Sequence, residues 1–558
     1  MAKKKKQKKA EMKARQLSEA MASEVNRKVY NKGYSDAGAS HTKRALKGFK
    51  ARSGSAKEDI DENNYTLRQR ARMLFMASPI ASGAIGTMRT HVVGVGMKLN
   101  PSVDADVIGM SDEDAQNLNR QIKREFALWA DRKNTCDALQ MANFYQLQQL
   151  AFSSWLLSGD VFVLKKQVNP TIFAPYGLRL QIVEADRCST PYITASRDWS
   201  NWTQAKLDNG NWCYDGVEVN SDGAVMAYWF CSQYPDSYDV SKGEKKWSRV
   251  KAFGQKSGLA NVIHLTIQER PEQYRGVTFL AHVIEPLLQI RRYTEAEIQA
   301  AIIESFFTVF VKTESDTDTI PFNEVGTSFE GGPPYDDDFQ NDTEYEMGPG
   351  NVNVLKPGED VSFGDPKRPQ SGYDAFVYSV CRQIGAALGI PVDILMQKFD
   401  ASYSASRAAL LEAWETYKMY RSWFIDGFCK VVYEWWMAEA VSSGRIDAPG
   451  YFLNPIMRDA YLKASWVGPA QGQLDPVKEL EAQKMQIDNG FTTYEDAAIQ
   501  VNGSDWHDNM KKLSRERKMM PQADGSDTQV TPPASDPQDT ETDDQEDPSE
   551  GDGNGSEE

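Results

Sequence analysis

The period of the apolar positions changes several times along this chain, and the changes divide it. From Tyr373 onward, Phe376, Val377, Val380, Cys381, Ile384 and Leu388 recur at three- and four-residue spacing, the stripe of one helix. Ser371 and Asp374 supply start chemistry, and Gly389 followed by Pro391 supplies the stop. A small-residue link runs from Lys398 to Ser404. A second helix is predicted from about Ser404, patterned by Leu410, Leu411, Trp414, Tyr417, Phe424, Phe428 and Trp435. It meets no proline up to Ser443, so it could extend ~50 Å at ~1.5 Å per residue.

Before this stretch the pattern alternates between helix and strand. Asn64–Gly94 predicts a helix burying Leu67, Leu74, Phe75, Ile80, Ile85 and Met88, broken or kinked at Pro79, with Arg68, Arg70, Arg72 and Arg89 on its polar sides. Ser111–Asp131 and Asn143–Ser158 predict two more helices, the second ending at Gly159. The period then drops to two. Val161–Lys165, Leu178–Val183, Gly216–Val219, Ala224–Phe230 and Asn261–Thr266 read as short strands, with Asp215-Gly216 and Asp222-Gly223 as hairpin signals. Asn143–Thr266 is therefore expected to be an α+β domain.

Gly276–Lys312 returns to helical spacing with a kink expected at Pro286, and Ala296, Ala300 and Ala301 allow a neighbouring helix to approach closely. Thr313–Pro369 is acidic and punctuated by Gly and Pro, an uncommon length to lack a pattern inside a compact domain. A helix out, a distal module and a helix back make a stalk that carries a cap. Trp466–Glu495 predicts a further helix, and Thr492-Thr493-Tyr494-Glu495 the capped start of another. The whole reads as an α+β, predominantly helical chain.

Charge changes the picture mainly at the ends. The first residues, MAKKKKQKKAEMKAR, are basic, whereas no Lys or Arg follows Lys518. Residues 1–62 read as a flexible arm, either solubilising or binding nucleic acid or a partner, and 520–558 as a disordered acidic tail. The net charge of −16 argues against a protein that wraps DNA, which needs Lys and Arg to neutralise phosphates. Six cysteines without a CxxC pair read as reduced thiols. A lysine run leading into polar residues is no signal peptide, and no apolar window is long enough to span a membrane. Aromatics are plentiful, 13 Trp, 23 Tyr and 23 Phe, which suits large packed interfaces.

Catalytic patterns are missing. The chain has no phosphate-binding loop of the Gly-x-x-x-x-Gly-Lys type, no Gly-x-Ser-x-Gly elbow and no HExxH. His264 falls mid-strand and reads as a structural histidine. Glu412 and Glu415 share a helix face and read as a salt-bridging surface. Asp336, Asp337 and Asp338 could hold a hard cation but lie in a Gly-Pro-Pro-Tyr turn, where carboxylates are normally just solvated. Neither an enzyme, a metal site nor a cofactor is expected.

The runs IGAALGIPVDILMQ and YSASRAALLEAWETYKMYR resemble lambda-family phage portal proteins. So do HLTIQERPEQYRGVTFLAHVI, PGEDVSFGDPKRP, GQLDPVKELEAQKMQIDNGFTTYE and, near the start, RQRARMLFMASPIASGAIGTM, all in family order. The resemblance implies a portal fold with wing, stem, clip and crown regions. Residues 63–275 would be wing, 276–312 a stem helix, 313–369 the clip, 370–404 the second stem helix and tunnel loop, and 405–519 the long helix, wing and crown. It implies a homo-oligomeric ring, usually of twelve subunits, at the packaging vertex of a virion assembled in the host cytoplasm. Double-stranded DNA would pass its channel, and terminase large subunit, neck or adaptor proteins, major capsid protein and scaffold would be partners. Lys398, Phe399 and Tyr403 are the expected channel-loop residues, and Asp336, Asp337 and Asp338 the expected terminase-docking residues. The alternatives are another head-morphogenesis protein, such as a scaffold or connector, or a nuclease or protease of head maturation.

Overall fold

The computed structural model describes residues 43–191, 204–235, 243–305, 309–311, 352–354, 372–398, 403–470, 476–502 and 506–519, with isolated positions before residue 43 and Ser237. The chain divides into two compact units, residues 1–469 and 470–558.

In the first unit, α1 (Ala56–Ala77) begins earlier than its apolar stripe suggests. Ser55 accepts from the Glu58 amide and Glu58 reaches back to Ser55, so a capping box extends the helix into the expected arm. Pro79 does break the segment: Ser78 closes α1 and caps α2 (Pro79–Val92), whose first residue is the proline. Strand β1 (Lys98–Pro101) precedes α3 (Asp112–Ala130), capped by Ser111. Helix α4 (Phe144–Ser158) has a capping box from Asn143 and Gln146 and stops at Gly159, where φ is 87°.

The strand region forms two sheets. β2 (Asp160–Gln167) is central between β3 (Leu178–Glu184) and β9 (Val262–Thr266), both antiparallel to it. The other sheet is a meander of β4 (Gln204–Lys206), β5 (Trp212–Tyr214), β6 (Val217–Val219), β7 (Val225–Cys231) and β8 (Trp247–Lys251). Asp215 and Gly216 both take positive φ, 42° and 85°, and pair Tyr214 with Val217 as a two-residue hairpin. β4, β5 and β8 are too short or too exposed to show alternation.

Helix α5 (Ile284–Ser305) is not kinked at Pro286, which sits in its first turn where no amide bond is lost. Helical spacing was expected to reach Lys312, but β10 (Val309–Val311) is a strand, parallel to β11 (Val352–Val354). Helix α6 (Tyr373–Leu388) has Gly372 at its N-cap and ends at Gly389, φ 65°; Ser371, expected to start it, lies outside the described residues. Helix α7 (Tyr403–Phe424) continues through a π turn, Ile425–Cys429, into α8 (Lys430–Ser442). α9 (Pro455–Leu462) leads to β12 (Ala464–Val467), which pairs with β1. Trp466 was expected to open a helix; it lies in this strand instead.

The core of this unit is aromatic. Phe126, Phe144, Phe428, Tyr433, Trp436 and Trp466 form a chain of rings with centroids 5.1–6.4 Å apart. Phe424 continues it to Phe152 and Trp155. The aromatic wealth of α7 and α8 therefore fills the fold of one chain rather than standing ready for an interface. All six cysteines are buried and unpaired.

The second unit contains α10 (Pro476–Asp488), α11 (Tyr494–Asn502) and α12 (Trp506–Met519). The start of α11 falls one residue later than its capping pattern suggests: Thr493 Oγ1 accepts from the Asp496 amide. Tyr494 and Trp506 stack within the unit.

Candidate functional site: a helical pair, its loop and the charged joint beneath

Helices α5 and α6 lie side by side. The Tyr293 ring stacks on Tyr373 at 5.4 Å and meets Phe376 edge-on at 5.0 Å, and the Thr294 and Tyr373 hydroxyls are 2.9 Å apart. The β10–β11 ladder joins the outgoing and returning chain, so the segment between them leaves and re-enters at one place. Ile298, Ile302 and Phe376 remain about half exposed along the pair.

After Gly389 the chain makes a single helical turn, Val392–Leu395, and the Lys398 amide donates to Asp393 O at 3.0 Å. The Lys398 ammonium lies 4.0 Å from the Asp374 carboxylate on α6, both well exposed. Tyr403 is the first residue of α7 and so belongs to the helix, not to the link expected to extend to Ser404. Phe399 falls outside the described residues, as do Asp336, Asp337 and Asp338. Further along α7, Glu415 pairs with Lys418 at 2.9 Å. Tyr417 stacks on His91 of α2 at 4.9 Å, and Arg421 donates to the carbonyls of His91 and Val92. Burial pulls Arg421 down to about 10 and, with Arg421 beside it, lowers His91.

At the foot of the pair a cavity of about 340 Å³ lies between the end of α6, α7 and the segment Val277–His282. Beneath it is a buried ionic joint that sequence patterning did not find. Arg275 is fully buried and grips Asp160 through Nε at 2.6 Å and Nη2 at 3.2 Å. Its remaining donors reach the carbonyls of Ala185 and Cys188, and its Nη1 also lies 2.6 Å from the Asp215 carboxylate. Arg68 of α1, only 2% exposed, bonds Asp215 and the Ser158 carbonyl, while Arg72 pairs with Asp186. Placing Arg68 on a polar face was wrong because the α1 face it occupies is covered by the strands. Gly159 and Gly276 press together here; a Cβ on Gly276 would stand 1.9 Å from the Gly159 carbonyl oxygen.

Burial alone would raise the Asp160 carboxyl, but Arg275, Arg68 and a bond to His264 hold it well below the usual range. His264 Nε2 lies 3.4 Å from Asp160, and burial lowers its pKa. It is thus a partnered structural histidine. Three guanidiniums face Asp160, Asp186 and Asp215, which leaves Asp61 of α1 as a surplus buried acid. Burial first, then Asp215, raises it to about 7. This joint fixes α1 to the sheets and offers no open face for chemistry. Among the described residues no group of His, Cys, Asp and Glu could hold a metal ion.

The chain matches the family described as phage portal protein, lambda family, over residues 42–421. It belongs to that family. Portal protein B of Escherichia phage lambda is 22% identical over 470 residues, covering 80% of this chain and 82% of that one. The probable portal protein of Halomonas phage phiHAP-1 is 26% identical over 444 residues, covering 79% and 77%. A solved chain from the virion of a native gene transfer agent particle covers 79% of this chain at 14% identity, with a TM-score of 0.37. The relatives are named as portal proteins, none as an enzyme. Among the described residues no helix is long and apolar enough to cross a membrane. The first matching residue, 42, lies beyond the basic cluster, and the last falls within α7.

Proposed function

We propose that this portal-family chain is one subunit of a homo-oligomeric ring of twelve at the vertex of a tailed-phage head. Its channel passes double-stranded DNA during packaging and ejection. The α5–α6 pair is the stem, residues 313–369 the clip and the link before α7 the channel loop. The clip, through Asp336, Asp337 and Asp338, receives the terminase large subunit and later the neck proteins. Lys398 and Phe399 face the DNA. Residues 63–275 with α7–α9 form the wing, and residues beyond 470 the crown. Major capsid and scaffold proteins meet the ring from the head side.

One observation carries this reading. Ile298, Ile302 and Phe376 stay about half exposed along the helical pair, so it has apolar surface left for neighbouring copies. A channel must also guide DNA without gripping it, and each wall cation would add salt-dependent backbone affinity. An acidic chain meets that demand. Electron microscopy of the purified full chain tests the proposal: rings with a central hole are expected. A monomer by light scattering at micromolar concentration would refute it.

A further inference from the structure

Residues 470–519 contain seven Lys and Arg, and five of them, Lys511, Lys512, Arg515, Arg517 and Lys518, lie on α12. Lys511, Arg515 and Lys518 are spaced i, i+4 and i+7, so they line one stripe with Lys512 beside it. All five side chains are exposed. Among the described residues no carboxylate forms an ion pair with any of them. The chain beyond Met519 has the opposite composition: thirteen Asp and Glu and no Lys or Arg, with Glu541, Asp543, Asp544, Glu546 and Asp547 crowded into seven positions.

We propose that the acidic segment 520–558 docks on the Lys511, Lys512, Arg515 and Lys518 stripe and covers it against other polyanions. The connection makes this feasible. From Met519 back to Lys511 is ~12 Å along the helix at ~1.5 Å per residue. Four extended residues span that at ~3.3 Å each, so Asp524 and Asp527 reach Lys518 and Arg515. The denser cluster lies some twenty residues further, and a chain of that length has a root-mean-square reach of ~25 Å. Tethering at that range holds the carboxylates at an effective concentration of order millimolar. The basic cluster Lys3–Lys9 and duplex DNA are the competing occupants, of the tail and of the stripe respectively.

Zero-length carbodiimide crosslinking of the full chain, read by mass spectrometry, decides between them. Amide links from tail carboxylates to Lys511, Lys512 and Lys518 are expected. They should fall severalfold from about 50 mM to about 300 mM salt as screening shortens the Debye length. The double variant Arg515→Gln, Arg517→Gln keeps the reactive lysines and should lower their link yield severalfold, with helicity checked by circular dichroism. Links made mainly to Lys3–Lys9, or yields at α12 indifferent to salt and to the two arginines, would overturn the docking. So would a labelled duplex that binds the full chain on α12 without displacing the tail links, since the stripe would then be uncovered.

Discussion

Around Asp160, buried guanidiniums and carboxylates answer one another and leave Asp61 as the surplus acid; along the α5–α6 pair, the ion pairs stand in solvent. Arg275 spends its guanidinium donors on Asp160 and on the backbone carbonyls of Ala185 and Cys188. The Arg291–Glu295 pair is roughly half exposed, and Lys398 sits 4.0 Å from Asp374. Exposed pairs of this kind contribute about 0–1 kcal/mol, whereas removing one partner of a buried pair costs about 3–5 kcal/mol. The first region is therefore held by the chain itself, and the second leaves its final shape to whatever packs on it.

The sharpest way to break this contrast is Arg275→Met, which strands Asp160 and Asp215 in the interior. We expect a loss of about 3–5 kcal/mol in urea unfolding, with α1 detaching from the sheets. A loss below 1 kcal/mol would mean that water enters the joint.

Asp61 gives the next effect, and it depends on pH. Its folded pKa, about 7, lies above its ordinary 3.8, so its stabilising contribution is complete below about pH 4 and is lost as pH rises through 7. Asp160 works the other way, its contribution present above its ordinary pKa and lost on acidification. Asp61→Asn should stabilise by a few kcal/mol at pH 8 and by little at pH 5, read as the difference in melting temperature from the parent chain. An equal gain at both would place the Asp61 carboxylate in contact with water.

Tyr373→Phe removes the hydroxyl that meets Thr294 while keeping the ring on Tyr293. About 0.5–1.5 kcal/mol is expected for an isolated subunit. Less should be lost in an assembled ring if neighbours hold the pair. Lys398→Ala should be smallest, within about 0.5 kcal/mol in thermal melts. Its consequence is expected in genome retention by assembled heads, and unchanged retention would remove its DNA role while leaving the loop in place.

The sequence reveals these two regions unequally. The α6 stripe, the Gly389 stop, the Gly159 stop and the Asp215-Gly216 hairpin are local signals, written within a few residues, and they appear where expected. The ionic joint is assembled from α1, β2, the hairpin and the segment before α5. Arg68 meets Asp215 across 147 positions and Arg275 meets Asp160 across 115, so no short window contains both partners. An arginine on a helix with several others reads as solvated until the sheets are in place. The one hint was the run QYRG: an arginine beside a glycine in a segment that resembles the family. The mid-strand His264 was legible because its lack of nearby ligand residues already argued for a structural role. For the α5–α6 pair, spacing gave the helices but not the strand at Val309, because a three-residue strand at the end of a long apolar helix keeps no period of its own.

The π turn at Ile425–Cys429 has a consequence best expressed in phase. Lys430 donates to Ile425, five residues back, so the rod formed by α7 and α8 carries one residue more than regular winding would use. Each residue of an α-helix turns ~100°, and the surplus offsets the two halves by about that angle. One side of α7 thus serves Phe152 and Trp155 through Phe424, while α8 delivers Trp435 to Ala260 and Trp436 to Phe126. One continuous rod thereby addresses two sets of neighbours. Chain length across those five positions matters as well as their side chains: a single deletion would dial every ring of α8 onto the wrong bearing at once.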